Sequence, residues 1–105
     1  PLVGHLVPDG VKQRAQGALE TVVPVAHLDP LFVRKKSVTD KLNSLVIDIV
    51  VGRLSQFGQH VYDKQFNFVR LQKGKQDWTD KGDHNHSAGR TAVPAVIAAF
   101  KGARS

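Results

Sequence analysis

The densest group of chemically reactive side chains lies between residues 73 and 91, in the sequence KGKQDWTDKGDHNHSAGRT. It combines aspartates, histidines and basic residues with the only tryptophan of the chain, and glycines interrupt it. A turn between two apolar segments does not require so many ionisable groups in one place. We therefore expect a functional site of this protein to lie in this segment.

Three of these residues, Asp83, His84 and His86, form a pattern that can bind a divalent metal. Two imidazoles and a carboxylate make a mixed nitrogen and oxygen site. No pair of ligands at helical spacing flanks them, and an exposed polar loop explains the same residues. The prediction is a protein without a cofactor, with a divalent metal at these residues as the alternative.

The junction SAGRT, which leads into the last apolar segment, has the features of an anion site. Thr91 is a candidate helix N-cap, and free backbone N–H groups at the start of a helix attract phosphate. Gly89 permits close approach of the backbone, and Arg90 can bind a phosphate with two parallel hydrogen bonds. An ordinary N-cap explains Thr91 equally well, so both interpretations stay open.

Together these groups fit metal-free cleavage of RNA. That reaction needs a base for the 2′-hydroxyl, an acid for the leaving 5′-oxygen and a cation beside the phosphate. Histidine suits both proton transfers because its pKa lies near neutrality. We predict His84 and His86, with His60, as the proton-transfer residues, and Arg90 and Lys75 as phosphate-binding residues together with the junction above.

Trp78 is the aromatic residue most expected to be exposed, because it stands between Asp77 and Thr79. Aromatic side chains among basic residues are typical of surfaces on which bases stack. We predict that Trp78 stacks on a base, whereas core packing explains the phenylalanines at least as well.

Composition limits both the chemistry and the partners. The chain has 105 residues, no cysteine and a net charge of +6. The lack of cysteine excludes disulfides, thiolate zinc sites and cysteine nucleophiles. Basic residues are concentrated in the half from 53 to 105, which favours a polyanionic partner through counterion release. A solvated basic face or an acidic protein partner fits the same charge.

The length predicts a single domain, residues 1–105. Because the chain starts at Pro1 and contains no methionine, we expect either removal of an initiator methionine or excision from a longer polypeptide. An amine at Pro1 acting as a base on a small molecule is a further, minor alternative. The N-terminal residues do not resemble a signal peptide, and no apolar run has the ~20 residues of a membrane-spanning helix. We expect no membrane partner and a cytoplasmic site of action.

Helical periodicity is the clearest structural signal. Apolar residues at spacings of three and four predict one long amphipathic helix from Val38 to Val61. Ser37 and Asp40 resemble a capping box before it. A first helix is expected from a cap at Asp9 to Pro24.

The remaining segments predict a short helix, a hairpin and a final helix. Asp29-Pro30 fits an N-cap and first helical residue, although a strand over 31–33 competes with it. Residues 66–71 (FNFVRL) predict a strand, residues 73–75 a turn, and Trp78 a returning strand or a loop anchor. Thr91 is expected to cap a C-terminal helix with Pro94 in its first turn. The predicted class is α+β: a mostly helical small domain with a short β-hairpin and a C-terminal helix.

The sequence as a whole predicts a small basic domain that acts on nucleic acid, RNA rather than DNA. We expect a ribonuclease-type effector or toxin, and if it is an enzyme, an endoribonuclease. A toxic domain of this kind would need an acidic protein inhibitor over its basic cleft. The alternative is a non-enzymatic binding or assembly subunit of a larger protein or ribonucleoprotein complex.

Overall fold

Five α-helices make up the described part of the chain, which in this computed structural model comprises residues 7–80 and 88–104, with side chains described for 7–68 and 92–103. The helices are α1 (Asp9–Val25), α2 (Pro30–Val33), α3 (Lys36–Val50), α4 (Gln56–Asp80) and α5 (Ala88–Arg104). These described ranges contain no strand. The fold is therefore helical throughout its described part, and the predicted α+β class with a β-hairpin is wrong.

The first helix follows the prediction closely at its end but not at its start. Asp9 is the first helical residue, and Pro8 takes the N-cap position. The Pro8 carbonyl accepts hydrogen bonds from the N–H groups of Val11 and Lys12. The carboxylate of Asp9 in the first turn suits the positive end of the helix dipole. Pro24 lies in the last turn, and the helix ends one residue later.

The short second helix confirms the Asp29-Pro30 prediction. The Asp29 carboxylate accepts a hydrogen bond of 2.9 Å from the N–H of Leu31, and Pro30 is the first helical residue. Phe32 is only 1% exposed, so this single turn serves to place one aromatic ring in the core.

The predicted helix over 38–61 is in fact two helices. Gly52 has a φ of 73°, which only glycine adopts without strain, and it ends α3. Ser55 then caps α4, because its hydroxyl accepts a hydrogen bond of 2.9 Å from the N–H of Gly58. The apolar spacing continues on both sides of the break, and this is why periodicity alone concealed it.

The predicted capping box at Ser37 and Asp40 is also wrong. The third helix begins at Lys36, and its N-cap residue, Lys35, makes no capping hydrogen bond through its side chain. Asp40 instead forms an exposed ion pair of 3.2 Å with Lys36, one turn earlier. The lysine replaces the serine as the partner of the carboxylate.

Residues 66–71, predicted as a strand, lie inside α4, as do the predicted turn at 73–75 and Trp78. The two phenylalanines show why. Phe66 is fully buried, with ring centroids 6.2 Å from Phe32 and 6.3 Å from Tyr62, whereas Phe68 is 60% exposed. Residues two apart share a face in a strand but lie on opposite sides of a helix.

The fifth helix closes the core by packing against α4, α1 and α3. It begins at Ala88, so Thr91 lies in its first turn and the predicted N-cap at that residue is wrong. None of the described helices is long and apolar enough to cross a membrane. The largest fully buried side chains come from α1 to α5 and are Val22, Phe32, Val38, Leu42, Leu45, Val46, Phe66, Val93 and Val96.

Candidate nucleic-acid interface

Among the predicted site residues, His60 has a described side chain, which is exposed near the start of α4. Lys75 and Trp78 lie on the same helix. At a rise of 1.5 Å per residue, Lys75 is about 22 Å further along the axis than His60, and Trp78 about 27 Å. The helix therefore holds these residues apart, and His60 has neither of them as a neighbour.

The predicted anion-binding residues Gly89, Arg90 and Thr91 form the first turn of α5. The next turn of that helix contacts α4, where the backbone of Val93 lies beside the carboxyl group of Asp63. Val93, two residues after Thr91, therefore lies beside Asp63, which follows His60 by three residues on α4. The role of these three residues in binding phosphate stays a prediction.

The predicted catalytic histidines, His84 and His86, and the predicted metal ligand Asp83 lie outside the described residues. Their roles in proton transfer or metal binding therefore stay predictions. Within the described residues, no group of three or more histidine, aspartate or glutamate side chains could hold a metal ion.

The outward face of α4 carries two exposed aromatic rings with a lysine between them. Phe57 is 75% and Phe68 60% exposed, and Lys64 between them is also exposed. Phe57 and Phe68 are separated by about three helical turns, so they lie on one line along the helix. We refer to Phe57, Lys64 and Phe68 as the α4 crest. This line was not predicted from the sequence, because Phe57 is one of the apolar residues of the predicted helix from Val38 to Val61 and Phe68 falls in the predicted strand over 66–71.

A groove of about 510 Å³ separates the crest from α3. Phe57 and Val61 line it from α4, and Asp40, Lys41 and Ser44 line it from α3. The groove thus offers an apolar wall next to a polar one. A planar ring with polar edges would suit such a pair of walls.

Asp48, which also lines this groove, connects α3 to α4 through a hydrogen bond. Its Oδ2 accepts a hydrogen bond of 2.7 Å from the Tyr62 hydroxyl. Its Oδ1 accepts bonds of 2.8 and 3.2 Å from Nη2 and Nε of Arg53. Burial and the bond to Asp48 raise the pKa of Tyr62 above its ordinary value. The phenol therefore keeps its proton and acts as a structural donor, not as a base.

On the other side of the crest, α4 has a hollow of about 220 Å³ lined by His60, Asp63, Lys64 and Asn67. Residues three and four apart on a helix are neighbours, so the four side chains share one face. The Oδ1 atom of Asp63 is buried and has no hydrogen-bond partner among the described residues. Burial raises the pKa of Asp63, while His60 and the backbone N–H of Val93 partly offset this effect.

The partly buried Asp63 carboxylate should make the stability of the protein depend on pH. Because the folded state binds this proton more tightly than the unfolded state, stability should fall as the pH rises from the ordinary aspartate pKa through the raised one. Asp63→Asn removes the charge and should raise the free energy of unfolding at pH 7 by about 0.5–1 kcal/mol, since water screens part of the group. Below about pH 3 the gain should vanish.

Urea denaturation at a series of pH values measures the free energy of unfolding of Asp63→Asn, with Asp40→Asn as the control. Asp40 is an exposed carboxylate on α3, so its loss should change stability little and in the opposite direction. A gain in both variants would point to net charge instead of the burial of Asp63.

A scan against protein-family models and searches of curated proteins and solved structures find no match for this chain. The chemistry of the α4 surface is therefore the basis on which a function can be assigned. That surface combines exposed rings, a lysine, a groove with one apolar and one polar wall, and a hollow with a histidine and a carboxyl group.

Proposed function

We propose that this protein is a small basic domain that binds single-stranded nucleic acid, RNA in preference to DNA, along the α4 crest. The observation that supports this most is the alignment of Phe57, Lys64 and Phe68 on one exposed line of α4. Aromatic rings that alternate with basic residues are typical of surfaces that bind single strands. Stacking on such rings is worth about 1–3 kcal/mol per base.

The spacing of the two rings fits an extended strand. Phe57 and Phe68 are about 16 Å apart along the helix axis, so each ring would stack on a different nucleotide. Lys64 lies between them and would face the connecting phosphates. A duplex would be a poor ligand, because its bases are stacked on each other and cannot reach the rings.

The charges next to the crest are compatible with a polyanion. The net charge is +6, and Lys41 lies across the groove from Phe57. The two carboxylates that line the groove are both paired, Asp40 with Lys36 and Asp48 with Arg53. Their repulsion of a phosphate backbone is thereby reduced.

Fluorescence anisotropy with labelled single-stranded RNA tests the proposal. Phe57→Ala and Phe68→Ala should each weaken binding about tenfold, which corresponds to about 1.4 kcal/mol. Lys64→Ala should weaken it across all sequences and lower the salt slope by about one. The same strand made as DNA tests the preference for RNA.

Leu31→Ala is the matched control for these variants, because Leu31 is 58% exposed but lies on α2 and lines neither the groove nor the hollow. It should bind RNA as the unmodified chain does. Equal affinity in both phenylalanine variants would show that the crest is not the interface, and the lack of any RNA binding would reject the function.

The alternative function, a protein-binding or assembly subunit, would use the same exposed rings. Phe57 and Val61 together line an apolar wall of the groove, on which an acidic partner or inhibitor could pack. A protein partner would stay bound after treatment with ribonuclease, whereas a partner joined through RNA would be released.

A further inference from the structure

The hollow beside the crest has the composition of a reaction site. Here we infer that His60 and Asp63 act as base and acid in the cleavage of the RNA backbone, with Lys64 holding the phosphate. This inference rests on the proposed binding of RNA along the α4 crest. It assigns the proton transfers to two residues of α4 and not to His84 and His86.

The crest and the hollow share Lys64. It stands between Phe57 and Phe68 on the crest and also lines the hollow with His60 and Asp63. A phosphate held by Lys64 would therefore lie beside the hollow while the flanking bases stack on the rings. The hollow, about 220 Å³, has room for a phosphodiester group.

His60 and Asp63 have complementary properties as a pair. His60 is exposed, so its imidazole can be reached by a ribose hydroxyl. Asp63 has one carboxyl oxygen that is buried without a hydrogen-bond partner among the described residues, and burial disfavours its charged form. The carboxyl group therefore keeps its proton to a higher pH than an ordinary aspartate does and can serve as an acid.

The reaction balances with these two groups alone. His60 takes the proton of the 2′-hydroxyl, and the 2′-oxygen forms a bond to phosphorus. The bond between phosphorus and the 5′-oxygen breaks, and that oxygen takes the proton of Asp63. The products are a 2′,3′-cyclic phosphate and a free 5′-hydroxyl, and water then returns a proton from His60 to Asp63.

Asp63 faces groups from both α4 and α5. On α4 they are His60 and Lys64. From α5 the backbone N–H of Val93 faces the carboxyl group. Burial disfavours the charged form of Asp63, and His60 and the Val93 N–H partly offset this effect.

The test is incubation of the full chain with end-labelled single-stranded RNA in EDTA, with binding measured in parallel. His60→Ala and Asp63→Asn should each lower the cleavage rate by about 10²–10³-fold and leave RNA affinity within about twofold. Because Asp63 must carry a proton, the rate of the unmodified chain should fall at high pH. That fall should disappear in Asp63→Asn, an effect that loss of structure would not produce.

His27→Asn is the matched control, because His27 is an exposed histidine far along the chain from α4 and asparagine tolerates its φ of 57°. It should cleave RNA at the unmodified rate. Circular dichroism of every variant shows whether it is folded, and His60→Gln replaces His60→Ala if the latter is not.

The outcomes separate this inference from the proposed function. Cleavage that survives in His60→Ala and Asp63→Asn, or that depends instead on His84 or His86, overturns the inference. Binding of RNA without cleavage also overturns it and leaves the proposed function standing. Failure to bind RNA rejects both.

Discussion

Replacing Phe66 with alanine is expected to lower the free energy of unfolding by about 3–5 kcal/mol, the usual cost of truncating a buried phenylalanine. The ring is fully buried and contacts Phe32 from α2 and Tyr62 from its own helix. Its removal would leave a cavity where α2 and α4 meet. Urea denaturation followed by circular dichroism measures the change.

Phe68→Ala is the control, and it also tests the fold. Phe68 is 60% exposed, so its replacement should change stability by no more than about 0.5 kcal/mol. In a strand, Phe66 and Phe68 would share a face and their replacements would have similar effects. Large and equal losses in both variants would therefore contradict the helical assignment of 66–71.

Asp48→Ala is expected to destabilise the protein by about 2–3 kcal/mol. The carboxylate receives hydrogen bonds from Tyr62 and Arg53, and its removal leaves a half-buried hydroxyl and a guanidinium group without their partner. The change would loosen the contact between the end of α3 and the start of α4. Thermal or urea denaturation provides the measurement.

Two further variants show which contact matters. Asp40→Ala removes a carboxylate on the same helix whose ion pair with Lys36 is exposed, and it should cost less than about 0.5 kcal/mol. Tyr62→Phe keeps the ring but removes the hydroxyl, and it should cost about 1 kcal/mol. If Asp40→Ala proved as costly as Asp48→Ala, overall charge and not the bonds to Asp48 would be the cause.

Local signals in the sequence predicted two helix ends, the start of α2 and the end of α1. Asp29-Pro30 gave the start of α2, and Pro24 gave the end of α1 within one residue, because each acts through its own backbone chemistry. The strand over 66–71 was wrong, because six residues are too few to separate a period of two from one of 3.6. What decides this segment is the contact between Phe66 and Phe32, which are far apart in sequence.

The candidate site was predictable only in part. His60 was chosen for its chemistry, but Asp63 was passed over because nothing local shows that its carboxyl group is buried. The rule that large apolar side chains lie inside concealed the exposure of Phe57 and Phe68. One signal of the groove was available in the sequence. Asp48 is a carboxylate that interrupts the apolar run from Leu45 to Val51.

The contacts of α5 have a consequence for synthesis on the ribosome. This helix supplies Val93 and Val96 to the core and packs against α1, α3 and α4. A nascent chain that has released α1 to α4 but not α5 lacks the cover that α5 gives to the apolar faces of α1, α3 and α4. Until α5 leaves the exit tunnel, the nascent chain should therefore be a substrate for chaperones that bind exposed apolar segments.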